Sequence, residues 1–164
     1  MNVSPDYDVI VVGAGHNGLA ATALLAGRGL RVLCLEKNAY VGGMAETREI
    51  LTGCRNDVGA SLLFLPDLRD CIVERAVFSS DHFAALQGAT NGDFTHGLIH
   101  PEQMIGGRLF VPGSSHATPI ANLYLCGASC HPGPGVTFLP GYGAAYEVAE
   151  ALGTLTRSSA RSAA

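Results

Sequence analysis

A β-branched apolar run, Val9-Ile10-Val11-Val12, leads straight into Gly13-Ala14-Gly15-His16-Asn17-Gly18, and residues 19–28 that follow are rich in Ala and Leu. A short run of that kind reads as a strand buried on both faces, as in a parallel sheet. The Ala/Leu stretch reads as a helix closed by Gly29. Residues 31–36 are a second apolar strand, Arg-Val-Leu-Cys-Leu-Glu. Strand, glycine turn, helix and strand make one βαβ unit, which points to an α/β fold.

The glycine spacing is GxGxxG. It opens a helix after a strand, and an acid, Glu36, follows about 20 residues later, as the dinucleotide fingerprint requires. Gly13 allows the tight turn, Gly15 lets the backbone approach a pyrophosphate, and Gly18 lets helix and strand come close. The helix N-terminus adds N–H donors and a partial positive charge. His16 and Asn17 lie in the loop and count among its candidate contacts; His16 either sits by the pyrophosphate or faces solvent. Glu36 ends the second strand, where its carboxylate can accept from a ribose diol and repels a 2′-phosphate. FAD or NAD is therefore favoured over NADP. Lys37 is next to it, and Gly42-Gly43-Met44 follows after a short loop. Paired glycines there are either a second close approach of backbone to cofactor or an ordinary turn.

Charge narrows the partners. The net charge is −4 and Lys37 is the single lysine, with no basic run; nucleic acid, which needs clustered Lys and Arg, is not expected. No stretch of 18 apolar residues is present, so no membrane span is expected. Residues 1–7 are polar and carry no basic-then-apolar pattern, which argues against a signal peptide. The five cysteines are an odd set, consistent with free thiols in a reducing, cytoplasmic compartment. Cys126, Cys130 and His131 are close in sequence but too few for a closed metal site, so no metal is expected.

Along the rest of the chain, residues 46–56 suggest a hairpin interrupted by Gly53, and 60–65 an apolar run ending at Pro66. Leu68, Ile72, Val73 and Val77 have helical spacing over 68–78. Residues 79–107 are mixed, with turns at Asn91-Gly92 and Gly106-Gly107. A short strand is expected over 108–111 and a buried strand over 122–126, Asn-Leu-Tyr-Leu-Cys, beside the two N-terminal strands. A Pro/Gly loop over 129–135 precedes a last helix at about 136–155. His82, His96, His100 and His116 read as surface or structural residues. Ser61 and Ser129 lack the GxSxG setting of a hydrolase nucleophile.

The chain resembles the phytoene-desaturase-like family of FAD-dependent oxidoreductases, which includes carotenoid desaturases. The N-terminal resemblance runs through Tyr7-Asp-Val-Ile-Val-Val-Gly-Ala-Gly-His-Asn-Gly-Leu, Leu35-Glu-Lys, Val41-Gly-Gly and Asn56-Asp-Val-Gly-Ala-Ser-Leu-Leu. The C-terminal one runs from Thr118-Pro-Ile-Ala-Asn-Leu-Tyr-Leu-Cys-Gly-Ala-Ser-Cys to Pro140-Gly-Tyr-Gly-Ala-Ala, with Asn91-Gly-Asp-Phe-Thr-His-Gly upstream. The resemblance implies a Rossmann-like FAD-binding domain with a parallel central sheet and a small β-rich element. It would span 1–156 as one domain, with FAD segments 1–66 and about 91–156, and a flexible tail over 157–164. By position, Gly13, Gly15 and Gly18 would face the pyrophosphate, Glu36 the adenosine ribose, and Gly42 and Gly43 the phosphate and ribityl region. Gly127 and Ala128 would meet the ribityl side, and Val136 and Thr137 would begin a helix aimed at the flavin ring.

Family members are several times longer, and the substrate domain between their two FAD segments has no counterpart here. Phe138 and Leu139 stand where relatives have small residues and would crowd the flavin. His131, in the loop before the last helix, is the one candidate for a catalytic role. The resemblance implies a flavin that accepts a hydride from the C–H of a small apolar substrate. The competing readings are a non-catalytic FAD-binding remnant or module that needs a partner chain for a substrate site, with a homo-oligomer or partner chain as possible partners, and a small NAD-binding protein.

Overall fold

The computed structural model describes residues 6–57, 59, 72, 77–93, 95–97, 99–103 and 114–154. The run at 60–65, Ser61, most of the helix read over 68–78, the strand read over 108–111 and the tail at 157–164 lie outside these residues.

Strand β1 (Val9–Val12) pairs in parallel with β2 (Val32–Leu35), with Val9 opposite Val32 and Val12 opposite Leu35. Helix α1 (His16–Ala26) connects them. The expected βαβ unit is present, and the fold is α/β with a Rossmann-like βαβ unit. Asp8 fastens the start of β1 to β2: its carboxylate accepts from the Arg31 backbone N–H (2.8 Å) and from the Arg31 guanidinium (2.8 Å). The helix starts at His16, earlier than the expected residue 19, because the last turn of the glycine motif is itself helical. It ends at Gly27, and Gly29 then turns the chain with φ +83.

The expected hairpin is strands β3 (Thr47–Leu51) and β4 (Cys54–Asp57), antiparallel, with Gly53 in its turn. Helix α2 (Ser80–Gln87) lies in the stretch to which the sequence assigned no element, and ends in the left-handed Gly88. Helix α3 (Leu139–Ala151) is the last described element.

The core is small and lies between α1 and α3. Ala21, Leu25, Ala145 and Ala149 form its buried cluster, edged by Val9, Leu24, Val32 and Val148. Burying one leucine such as Leu25 contributes about 1.5–3 kcal/mol. Alanines on both helices permit a close crossing, and Gly141 sits at its tightest point: a Cβ there would lie 2.0 Å from the Asn17 carbonyl oxygen.

Three expectations are corrected. β1 is not buried on both faces: Val11 is buried, but Ile10 is 58% and Val12 80% exposed, since no described layer covers that face. Residues 122–126 do not form a strand beside β1. Tyr124 makes an isolated antiparallel bridge with Ala117, and the Leu125 N–H donates to the His116 carbonyl (2.8 Å), so the segment is spent on a local hairpin. Helix α3 begins at Leu139, not at residue 136, because Gly133, Gly135 and Phe138 all have positive φ. Val136 and Thr137 therefore lie in the loop before it.

Candidate functional site

The glycine turn works as its spacing predicts. A Cβ on Gly18 would lie 1.9 Å from the Gly13 carbonyl oxygen, so only glycine lets α1 approach the end of β1. Around Gly15 the space is open: a Cβ there would meet nothing within 4 Å. One glycine is required by the protein's own backbone, and the other is left facing a cavity.

Gly42 and Gly43 come to the same place. The Gly42 N–H donates to the Ala14 carbonyl (2.7 Å), Gly15 and Gly42 form a parallel bridge, and a Cβ on Gly43 would sit 3.2 Å from the Gly15 Cα. The paired glycines are thus an extension of the glycine turn. Glu36 closes it from the other side, its Oε2 accepting from the Ala14 N–H (2.7 Å) and its Oε1 from the Asn38 N–H (2.9 Å). Those two backbone donors, Asn38 first, hold the Glu36 carboxyl below its ordinary value.

These elements bound an open cavity of about 1390 Å³. Its wall includes Gly13, Gly15, His16, Asn17, Gly18, Gly43 and Met44 from the N-terminal segment and Gly127 and Ala128 from the C-terminal one. The two halves of the sequence-predicted site therefore meet. Asn17, buried, helps join them: its side-chain oxygen accepts from the Gly141 N–H (3.4 Å), linking α1 to α3. A smaller cavity of about 220 Å³ shares His16, Met44 and Ala128 with the first and adds Ala45 and Val136.

His16 spans the two segments. Its Nε2 lies 3.2 Å from the Gly135 carbonyl oxygen, and its ring meets Phe138 edge-on at 5.3 Å. Burial pushes its pKa down, the Gly135 carbonyl opposes the shift and the neighbouring His96 adds to it. The solvent-facing alternative for this residue gives way to a half-buried one.

Other candidates are not brought to a cavity. Glu36, Gly42, His131 and Thr137 line neither one, and Lys37 stands at the end of α2, 3.4 Å from the Cβ position of Gly88. Phe138 and Leu139 line neither cavity and are about half exposed, with Phe138 against the His16 ring. Among the described residues no group of three His, Cys, Asp or Glu is placed to hold a metal, and no helix is long and apolar enough to cross a membrane. Burial raises the Cys126 pKa, as for a structural thiol.

The wall also includes Gln87 to Thr90, which sequence reasoning missed, and Asn91, Asp93, His96 and Gly97, which fall within the expected C-terminal segment but were not named as site residues. Asp93 shapes that stretch. Its carboxylate accepts from the Thr95 hydroxyl (2.5 Å) and from the Thr95 and Gly97 N–H groups (2.8 Å each). The Asn91-Gly92 turn and the Ser79-Ser80-Asp81 helix start were visible signals for it.

Residues 11–74 match the family described as NAD(P)-binding Rossmann-like domain. The pyridine nucleotide-disulfide oxidoreductase domain-containing protein 2 of Mus musculus is 41% identical over 63 residues, which cover 38% of this chain and 11% of that protein. Phytoene desaturase of Neurospora crassa is 48% identical over 59 residues, 36% of this chain and 10% of its own. Carotenoid 3,4-desaturase of Haloarcula japonica is 46% identical over 61 residues, 37% of this chain and 12% of its own. These alignments span about a tenth of each relative's length. No solved structure matches the chain.

Proposed function

We propose that this chain, whose N-terminal part belongs to the desaturase-like family of dinucleotide-binding oxidoreductases, holds FAD across the C-terminal ends of β1 and β2. The observation that carries this reading is the pairing of a closed glycine with an open one: Gly18 has no room for a side chain, whereas Gly15 faces a cavity large enough for a dinucleotide. Gly127 and Ala128 on the opposite wall support FAD over NAD, because a minimal NAD unit has no use for a returning C-terminal segment. On this reading residues 1–156 are one FAD-binding domain, joined where α3 crosses α1.

In the proposed complex the N–H groups at Gly15, His16 and Asn17 donate to the pyrophosphate, with Gly13 and Gly18 shaping the turn. Glu36 accepts from the adenosine ribose through lone pairs its two backbone donors leave free. Gly42, Gly43 and Met44 line the phosphate and ribityl region, Gly127 and Ala128 the ribityl side, and Val136 the ring. When bound, the flavin supplies acceptance of a hydride from a substrate C–H, with the proton lost elsewhere, so that a C=C or C=N bond forms. Relatives named as desaturases of phytoene and of carotenoids make an apolar substrate the favoured class.

A second reading, an FAD-binding module whose substrate site a partner completes, is favoured by one observation. The cavity at the ring end is about 220 Å³, below the roughly 300–1,000 Å³ typical of small-molecule sites. Titration of the purified protein with FAD and with NAD, and identification of the cofactor released on denaturation, tests the first claim; preference for NAD would end it. Stopped-flow reduction by a panel of polyenes, terpenes and amines separates the two readings. Fast, saturable bleaching by one of them is expected of the enzyme, and reduction by dithionite alone of the module.

A further inference from the structure

Charge is unevenly spread along the large cavity. Beside β1 its lining is mostly apolar, residues 123–126 form its far wall, and Asp8 at the outer end is paired with Arg31. Towards the glycine turn the lining carries His16, Asp93 and His96, and none of its described residues is a lysine or an arginine. A pyrophosphate is a dianion, and the N-terminus of α1 offers it only about half an elementary charge. The two imidazoles are the only described side chains lining the cavity that can become cations. They are not equivalent. The His16 Nε2 lies 3.2 Å from the Gly135 carbonyl oxygen, which can only accept, so that nitrogen carries the hydrogen. Burial lowers the His16 pKa against the opposing Gly135 carbonyl, and His96 lowers it further. His96 lines both cavities, where the two meet, and among the described residues none hydrogen-bonds to its ring. Its backbone is left-handed, φ +54, between the Thr95 and Gly97 amides that donate to Asp93 (2.8 Å each). A non-glycine residue held in that conformation is over-determined by its surroundings, as at ligand sites. The Thr95 hydroxyl, then the Gly97 and Thr95 amides, hold the Asp93 carboxyl below its ordinary value, and His96 adds to this. An ionised Asp93 in turn favours a cation at His96. Met44, Ala45, Ala128 and residues 134–136, which complete the smaller cavity around His96, bring no ionisable side chain.

We propose that His96 takes up a proton when the dinucleotide binds and, as imidazolium, supplies the positive charge for its pyrophosphate. The role rests on the FAD reading above and adds a pH dependence to it. One proton passes from solvent to a ring nitrogen of His96, and no covalent bond to the ligand forms. His16 stays neutral with its hydrogen on Nε2, and Asp93 stays ionised. An anion beside His96 favours its charged form, so the bound state holds more protons than the free one. The sign follows from linkage: affinity is greatest on the acid side and falls as pH rises through the range in which an imidazole loses its charge.

The test is isothermal titration calorimetry of the full chain with FAD, in two buffers of different ionisation enthalpy at one pH. The difference in heat counts the protons taken up. Near pH 7.5 an uptake on the order of half a proton per FAD is expected, and the affinity is expected to fall about fivefold from pH 6.5 to pH 8.5. ADP-ribose, which has the same diphosphate diester and no flavin ring, should show the same uptake. His96→Asn removes the titrating ring with a residue that accepts positive φ. It should unfold at the native temperature, bind FAD without proton uptake, and keep one affinity across that pH range. Native binding without uptake overturns the proposal and leaves the FAD reading standing. Uptake that survives in His96→Asn assigns the proton to another group, His16 first, and overturns it too. Uptake with FAD but none with ADP-ribose assigns the proton to the flavin ring and not to the pyrophosphate, with the same result. If no FAD binds at any pH, the cofactor reading itself falls and this role with it.

Discussion

The Glu36 carboxylate reaches from the end of β2 to the first peptide of the glycine turn, its Oε2 accepting from the Ala14 N–H at 2.7 Å. The acid that the dinucleotide fingerprint reserves for a ribose thus also braces the loop that would hold the pyrophosphate. Both contacts depend on one side chain, so the shape of the loop and the recognition of the sugar are coupled. Glu36→Ala removes both and leaves the Ala14 and Asn38 N–H groups without their acceptor, a loss of about 1–3 kcal/mol. FAD affinity is expected to fall about tenfold or more, measured by flavin fluorescence titration of the folded variant. An unchanged affinity would remove Glu36 from the site.

Acid acts on the same end of the fold. The Arg31 side chain, through its hydrogen bonds, holds the Asp8 carboxyl at about 2 against an ordinary 3.8. Glu36 is likewise held below its ordinary 4.5, by the Asn38 and Ala14 amides. A carboxyl whose folded pKa is depressed stabilises the fold fully above its unfolded pKa and loses that contribution as pH falls through the folded one. Stability at the β1–β2 junction should therefore hold above about pH 4.5 and decline from there down to about pH 2. Thermal unfolding across that range, with Asp8→Asn and Glu36→Gln beside the native chain, checks this. The native chain's advantage over each variant should shrink as pH falls.

The two glycines of the turn should separate folding from binding. Gly18→Ala forces a methyl group against the Gly13 carbonyl at 1.9 Å, an overpacking expected to cost about 1–3 kcal/mol. In Gly15→Val the Cβ meets no protein atom within 4 Å and no positive φ is needed, since Gly15 is extended at φ −69. It should leave the thermal midpoint nearly unchanged and abolish FAD binding by filling the space of the pyrophosphate. Stoichiometric flavin in a folded Gly15→Val protein would sink the reading of the cavity.

The N-terminal unit was legible because its signals are local. Apolar runs bounded by glycines fix β1, α1 and β2 to within a few residues, and the Gly13–Gly18 spacing fixes what the turn is for. Gly53 was read as interrupting the hairpin, and it is the hairpin's turn, with φ +77. The C-terminal half was less legible, for two reasons. The run at 123–126 showed that it would be partly buried, but periodicity does not say which strand lies next to it, and here the Leu125 amide donates to His116 and the Leu123 carbonyl accepts from the Thr118 amide. Helix α2 has only eight residues and no buried face, so its pattern carried little; its start and stop residues were the usable signs. That Glu36 would bind the loop backbone was invisible, since spacing gives distance along the chain and not the direction of a carboxylate.

The clamp between α3 and the segment before the 123–126 wall gives the last prediction. The Glu147 Oε1 accepts from the Ser115 N–H (2.9 Å) and its Oε2 from the Ser114 hydroxyl, whose oxygen in turn accepts from the Ala117 N–H (2.7 Å). His116, 3% exposed, is locked beside them by Nδ1 on the Leu125 carbonyl (2.9 Å), and its ring fills the space over Gly143. One helix side chain thus fixes the hairpin that carries Gly127 and Ala128 to the cavity. Glu147→Ala should cost about 1–3 kcal/mol, because a backbone donor and a hydroxyl lose a charged acceptor together. Glu147→Gln should recover part of it, since the amide oxygen can still take the Ser115 N–H and the amide nitrogen can donate to Ser114. The loss should be local. The Leu125 amide, which donates to the His116 carbonyl, should exchange faster in Glu147→Ala, while the Gly13 amide, donating to Leu35 across the β1–β2 pair, should keep its native rate. Equal acceleration at both amides would mean that Glu147 supports the whole fold and not the hairpin.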